Sequence, residues 1–143
     1  MTDIKGFEEK PYAPLAIHSR KLAAEGCVLL KNENKVLPIK PENTVSFFGR
    51  TQIDYIKSGT GSGGLVYTEY VVNIIDGALN NSKINVNTEL VDIYKSWIKE
   101  NPFDEGNGWA SEPWFQKEYV PDESVVKSAR EKSDVAVIVI GRT

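Results

Sequence analysis

The stretch Val135-Ala136-Val137-Ile138-Val139-Ile140-Gly141 decides the fold class of this chain. It is apolar throughout, without the polar alternation of a strand that has one face in water. Such a run is typical of a strand in the middle of a parallel sheet, where helices cover both faces. Because Ser133-Asp134 directly before it is a turn signal, we expect the strand to begin at Val135.

Two more strands are predicted upstream, at Val45–Phe48, which ends at Gly49, and at Ile84–Val86. Helices are predicted from apolar residues at helical spacing, together with capping residues. Two of them span residues 14–25, with Gly26 as the stop, and 69–79. Two more begin after the N-caps Thr88 and Asp122. Strands that alternate with helices predict an α/β domain whose mainly parallel sheet has helices on both faces, as in a flavodoxin-like sandwich.

The domain organisation follows from this order of elements. Residues 1–13 are predicted to be an N-terminal arm, and residues 14–143 to be the domain itself. A parallel strand as apolar as 135–141 needs a crossover after it to cover its other side. We therefore expect the domain to be incomplete at its C-terminal side, with the remainder following Thr143.

Composition limits the function classes. The chain has 143 residues, of which 41% are hydrophobic, and a net charge of −3 without a basic stripe. This argues against nucleic acid and anionic membranes as partners. No apolar run is long enough to span a membrane, and the first residues lack a signal-peptide pattern, which favours a cytoplasmic location. With one Cys and one His, no zinc site is expected, and Cys27 is interpreted as a small buried thiol.

The glycine-rich segment 58–64 is the predicted ligand contact, because glycines let backbone N–H groups approach a ligand closely. In open α/β sheets, ligands bind beyond the carboxyl ends of strands, and this segment follows the Val45–Phe48 strand. It also matches the dinucleotide pattern G-x-G-x-x-G, although residues 50–58 separate it from the strand. A small-ligand or nucleotide module without enzymatic activity is therefore the alternative interpretation, and a loop without a ligand is the simplest one.

The segment 101–120 is rich in aromatic residues but has neither helical nor strand periodicity. Trp109 and Trp114, with Phe115 and Tyr119, are a possible stacking platform for a sugar ring. The alternative is that they cover an edge of the domain or dock against another domain, since large aromatic side chains usually bury area first. Charged groups near the glycine segment or in this loop are expected to be solvated, namely Asp54, Asp104, Glu105 and Glu112.

Several of these segments together resemble a known family. Residues 24–33, the sequence Val36-Leu37-Pro38-Ile39, the triplet Gly61-Ser62-Gly63 and residues 133–141 follow one another as in the α/β-sandwich domain of family 3 glycoside hydrolases. The resemblance runs from about His18 to Thr143. It implies a β-glycosidase, most often a β-glucosidase, which cleaves terminal β-glucosyl or similar residues without a cofactor.

The resemblance also implies a division of labour. In such enzymes a (β/α)8 barrel carries the nucleophilic aspartate, and the sandwich domain carries the acid/base glutamate just after the strand that matches 135–141. This chain resembles the subgroup with reversed domain order, truncated before that glutamate. It should therefore hold no catalytic residue, be inactive alone, and help to shape the sugar site. By the same resemblance, Thr60, Gly61, Ser62 and Gly63 would contact the sugar.

Overall fold

The computed structural model describes residues 13–56, 70–108 and 111–141. The chain divides into a first unit that ends at Pro38 and a second that begins at Ile39. Within the described residues, no helix combines the length and the apolar character that crossing a membrane requires.

The first unit is built around helix α1, Ala13–Glu25. The Gly26 N–H donates to the Leu22 carbonyl at 2.9 Å and ends the helix, as predicted. No regular element follows up to Pro38. Cys27 is exposed, so the interpretation of a buried thiol is wrong. Among the described residues, the segment after the helix joins no sheet that would cover the side chain, and the thiol donates to the Ala23 carbonyl.

The second unit contains a three-stranded parallel sheet in the order β2-β1-β3. Its strands are β1 (Thr44–Phe48), β2 (Asn85–Val86) and β3 (Val135–Ile138). Among these three strands the central position belongs to β1, and the prediction that β3 lies in the middle of a larger sheet stays a prediction. In the described residues β3 pairs with β1 alone, from Val45↔Val135 to Phe48↔Ile138.

Three helices accompany these strands: α2 (Ile74–Leu79), α3 (Thr88–Glu100) and α4 (Glu123–Lys132). The predicted start of α2 near residue 69 and the predicted N-cap Thr88 are corrected. Asn73 caps α2, accepting the Asp76 N–H at 2.7 Å, and Asn87 caps α3. A short amide side chain at each position satisfies a helix N–H that has no partner within the helix.

The helices cover both faces of the sheet, which confirms the α/β class. Neighbouring side chains of β1 point to opposite faces, so Val45 and Phe47 face one way and Phe48 the other. One core cluster consists of Val45, Phe47, Ile75, Ala78 and Val91. The other consists of Leu90, Tyr94 and Ala129, with Phe48 packed against it.

A polar residue lies in the middle of the central strand. Ser46 is 1% exposed. Its hydroxyl lies 2.6 Å from the Ser133 hydroxyl and accepts the Asn87 side-chain N–H at 3.0 Å. Because buried polar groups are tolerated when they are hydrogen-bonded, this network ties β1 to the residues that precede α3 and β3.

Candidate functional site

The site begins where β1 ends, at Gly49. Its φ of 99° lies in the region that favours glycine, and a Cβ there would come within 2.1 Å of the Val139 carbonyl oxygen. The strands are in close contact at this point, since the Val139 N–H donates to the Phe48 carbonyl at 2.8 Å. The chain then turns into a 3-10 helix, Arg50–Gln52, at the carboxyl edge of the sheet.

Arg50 is 1% exposed, and each of the three nitrogens of its guanidinium donates a hydrogen bond. Its Nε donates to Asp54 Oδ2 at 2.7 Å. Its Nη1 donates to the Lys117 carbonyl at 2.9 Å, and its Nη2 to the Asn101 carbonyl at 2.8 Å. Its Cζ also lies 5.4 Å from the centre of the Trp97 ring, within range for a cation–π contact. The buried charge is thus compensated from several sides.

A carboxylate of the chain itself sits at the start of the 3-10 helix. The two carboxylate oxygens of Glu118 accept the Arg50 N–H at 2.9 and 3.0 Å, and one also accepts the Tyr119 N–H at 2.8 Å. Backbone N–H groups beyond the carboxyl end of a parallel strand are a common binding position for anionic ligands. Here Glu118 fills that position.

Tyr94 supports the same turn from beneath. Its hydroxyl accepts the Gly49 N–H at 2.9 Å, and its ring meets the Tyr119 ring edge to face at 5.1 Å between centroids. Burial raises the pKa of Tyr94 above its usual value, opposed by the Gly49 hydrogen bond and assisted by the nearby Glu118. The hydroxyl therefore stays protonated at neutral pH and acts as a hydrogen-bonding group.

The two ends of the segment 101–118 are joined by a paired contact. Gln116 Oε1 accepts the Asp104 N–H at 2.8 Å, and Gln116 Nε2 donates to the Asp104 carbonyl at 2.9 Å. We call residues 101–104 and 116–118 the neck of this loop. Directly before Gln116 lie Trp114 and Phe115, each 79% exposed, and we call this aromatic pair the tip of the loop.

A cavity of about 990 Å³ opens beside the neck, on the Phe48 face of the sheet. Its floor is mostly apolar and includes Phe48, Val126, Ile138 and Ile140, while Glu118 and Arg130 are among its polar lining residues. Ile138 is 72% and Ile140 89% exposed. The aliphatic part of this floor, at Ile138 and Ile140, is suited to packing against other polypeptide side chains.

The predicted site residues differ in whether the structure describes them and in where it places them. Thr60, Gly61, Ser62, Gly63 and Trp109 lie outside the described residues. Trp114 lies exposed at the cavity, whereas Tyr119 packs on Tyr94 and Trp97, which divides the predicted aromatic group into an exposed and a packed part. In the ranges that the structure covers, no three metal-ligating side chains come together.

The interpretation of Asp54 as a solvated carboxylate is wrong, because Asp54 pairs with the buried Arg50. Sequence reasoning missed Arg50, Gln116 and Glu118 as well. One signal in the sequence could have identified Arg50, namely its position directly after the glycine that ends a strand. The partners of Arg50 lie 51 to 68 residues away along the chain, apart from Asp54, and sequence spacing does not reveal such contacts.

Comparison with known proteins gives consistent results. Residues 27–143 match the family model described as the glycosyl hydrolase family 3 C-terminal domain. The chain is 48% identical to a β-glucosidase of Ruminococcus albus over 120 residues, which are 84% of this chain and 12% of that protein. It is 33% identical to β-glucosidase A of Butyrivibrio fibrisolvens over 125 residues, 87% of this chain and 14% of that protein.

Solved structures give the same picture. A β-glucosidase from Paenibacillus barengoltzii superposes with a TM-score of 0.86 at 52% identity, covering 98% of this chain and 14% of that one. β-Glucosidase 3B from Thermotoga neapolitana, in complex with α-D-glucose, gives a TM-score of 0.78 at 33% identity, covering 93% of this chain and 18% of that one. The chain thus spans 12% and 14% of the length of the two curated relatives.

Proposed function

The chain belongs to glycoside hydrolase family 3, and on that premise we propose that it helps to shape the sugar site of a retaining β-glycosidase. The reaction would be hydrolysis of terminal β-glucosyl or similar residues from glycosides and oligosaccharides. The observation that carries the proposal is the likeness to the Paenibacillus β-glucosidase, which extends over 98% of this chain at 52% identity.

The proposed role of this chain is to complete a site whose chemistry lies elsewhere. Retaining hydrolysis needs two carboxyl groups about 5–5.5 Å apart, one on each side of the scissile bond. We infer that both come from outside these residues, the nucleophile from a barrel and the acid/base from a segment beyond β3. The 143-residue chain is then inactive alone. The exposed apolar floor at Ile138 and Ile140 supports packing of further polypeptide against this face.

The site favours a neutral ligand over a nucleotide. A phosphate at the carboxyl end of β1 would compete with Glu118, whose carboxylate already accepts the Arg50 N–H. The Arg50 guanidinium is engaged by Asp54 and two carbonyls and is not available for a phosphate. A sugar needs no such charges, because hydroxyl groups such as that of Ser62 both donate and accept. We therefore propose that the segment Thr60–Gly63 contacts a sugar.

A chimera tests this proposal. The segment of the Ruminococcus β-glucosidase that aligns with this chain is replaced by the present sequence, and hydrolysis of p-nitrophenyl β-D-glucoside is measured. We expect the chimera to be active and the isolated chain to be silent. In the chimera, Ser62→Ala should lower kcat/KM by about 2- to 12-fold, the effect of losing one hydroxyl contact.

Ser82→Ala is the matched control, because Ser82 is an exposed turn residue outside the site. It should leave kcat/KM unchanged. A folded but silent chimera would overturn the proposal. So would an isolated chain that binds ATP or NAD and does not bind glucose, since that result indicates the non-enzymatic ligand module.

A further inference from the structure

The neck of the 101–118 loop is attached to the turn that follows β1. Arg50 supplies this attachment from both its backbone and its side chain. The side chain holds one carbonyl from each half of the neck, those of Asn101 and Lys117. The backbone N–H holds the Glu118 carboxylate at the end of the neck. Because one residue contacts both halves, the path of the loop depends on Arg50.

We propose that Arg50 is a positioning residue that sets where the loop tip, with Trp114 and Phe115, meets a glycoside bound at the carboxyl edge of the sheet. This inference rests on the proposed function. Arg50 itself does not touch the sugar. It acts through the neck, whose position fixes the direction in which the exposed aromatic pair is presented.

The geometry requires a guanidinium rather than any positive charge. The three acceptors, Asp54 Oδ2 and the two carbonyls, are reached by three different nitrogens of the planar Arg50 fork. A lysine ammonium donates from a single nitrogen and cannot span acceptors that lie around a fork. The Trp97 ring centre lies 5.4 Å from Cζ and adds a cation–π contact. In Arg50→Lys the charge therefore persists, while at least one half of the neck loses its donor.

Amide hydrogen exchange of the full 143-residue chain, followed residue by residue by NMR, tests the attachment. In Arg50→Lys we expect the Asp104 and Tyr119 amides of the neck to exchange about tenfold faster or more. The Asn87 and Val139 amides, which donate to β1, should stay within about twofold of wild type. Selective loosening of the neck indicates that Arg50 holds it in place, and equal loosening of the sheet indicates a role in overall stability alone.

Gln116→Ala is the second variant, because it removes the paired contact with Asp104 and leaves the Arg50 guanidinium and its acceptors in place. It should loosen the same neck amides even if Arg50→Lys fails to fold. Glu89→Gln is the control, since Glu89 pairs with Lys132 on the surface of α3 and α4, and it should change no neck amide.

Kinetics of the chimera then test the positioning itself. Arg50→Lys and Gln116→Ala should each raise KM for an aryl β-glucoside by about tenfold, with kcat changed much less, because the aromatic tip aids binding rather than bond cleavage. If the neck amides of folded Arg50→Lys exchange as in wild type, the attachment through Arg50 is wrong, whatever Gln116→Ala does. If the neck loosens and KM does not change, the positioning role is wrong. If the wild-type chimera is folded but silent, the proposed function fails, and hydrogen exchange alone decides whether Arg50 fixes the loop.

Discussion

The strands β1 and β3 are parallel and pair residue by residue, yet their surroundings differ. Val45, Ser46 and Phe47 of β1 are 0%, 1% and 6% exposed, whereas Ile138 at the end of β3 is 72% exposed. The buried strand contains a serine, and the partly exposed strand contains only apolar residues. The difference teaches that the exposure of a strand within this chain does not follow from its composition alone. Ser46 is tolerated because its hydroxyl has partners.

The largest expected effect is at the centre of β1. Phe47→Ala should lower the free energy of unfolding by about 3–5 kcal/mol, because it leaves a cavity between β1 and α2. The measurement is urea denaturation followed by tryptophan fluorescence. Phe115→Ala is the matched control at an exposed phenylalanine, with an expected change within about 0.5 kcal/mol. Equal losses for the two variants would mean that β1 is not the centre of the core.

The next effect concerns the buried serine. Ser46→Ala should cost about 1–3 kcal/mol, because the Asn87 side-chain N–H and the Ser133 hydroxyl lose a buried partner. The same denaturation experiment measures it, with Ser96→Ala on the exposed side of α3 as the control. A neutral result at Ser46 would show that water replaces the hydroxyl, and the contrast with β3 would then be one of packing alone.

A smaller, pH-dependent effect is expected at the helix that leads into β3. The Ser124 hydroxyl, together with the Val125 N–H, lowers the pKa of Asp122 below its usual value. As pH falls, Asp122 is protonated in the unfolded chain before it is protonated in the folded chain, because its pKa is lower in the folded chain. The stabilisation by Asp122 is thus complete above about pH 4 and is lost as pH falls through the lowered folded pKa. Asp122→Asn should flatten this part of the curve of urea midpoint against pH, and an unchanged slope would contradict the capping role.

The smallest effect is expected on the open side of β3. Ile138→Ala should change the free energy of unfolding by no more than about 0.5 kcal/mol, because the side chain is mostly in water. Ile75→Ala, at an isoleucine that is 1% exposed on α2, should cost about 2–5 kcal/mol. A large loss at Ile138 would mean that this face is covered in solution, and light scattering would then show whether a second copy of the chain covers it.

The sequence predicted the elements better than their arrangement. The apolar spacing of α3 and the β-branched run of β1 reflect local preferences, and both elements were found where predicted. The order β2-β1-β3 depends on which strands pair across 41 and 90 residues of chain, and spacing does not specify this. The start of α2 was placed too early because Val71 and Val72 continue its apolar pattern, while the side chain of Asn73 caps the helix after them.

The candidate site was harder to predict for a related reason. Its fixed points are a buried arginine, main-chain carbonyls and a glutamate, none of which forms a local motif. The aromatic character of the loop was visible in the sequence, whereas the separation of Tyr119 from Trp114 depends on tertiary packing. The glycine-rich segment was the strongest local signal, and the prediction that Thr60–Gly63 bind a sugar stays a prediction.

The guanidinium of Arg50 binds the loop through hydrogen bonds to the backbone carbonyls of Asn101 and Lys117. A carbonyl oxygen is present whatever the side chain, so these two bonds are indifferent to the identity of the residues that provide them. Trp114 and Phe115, which provide neither of these acceptors, can thus be exchanged while the anchoring is kept. Libraries randomised at Trp114 and Phe115, with Asp104, Gln116 and Glu118 retained, would vary the exposed pair on an unchanged scaffold.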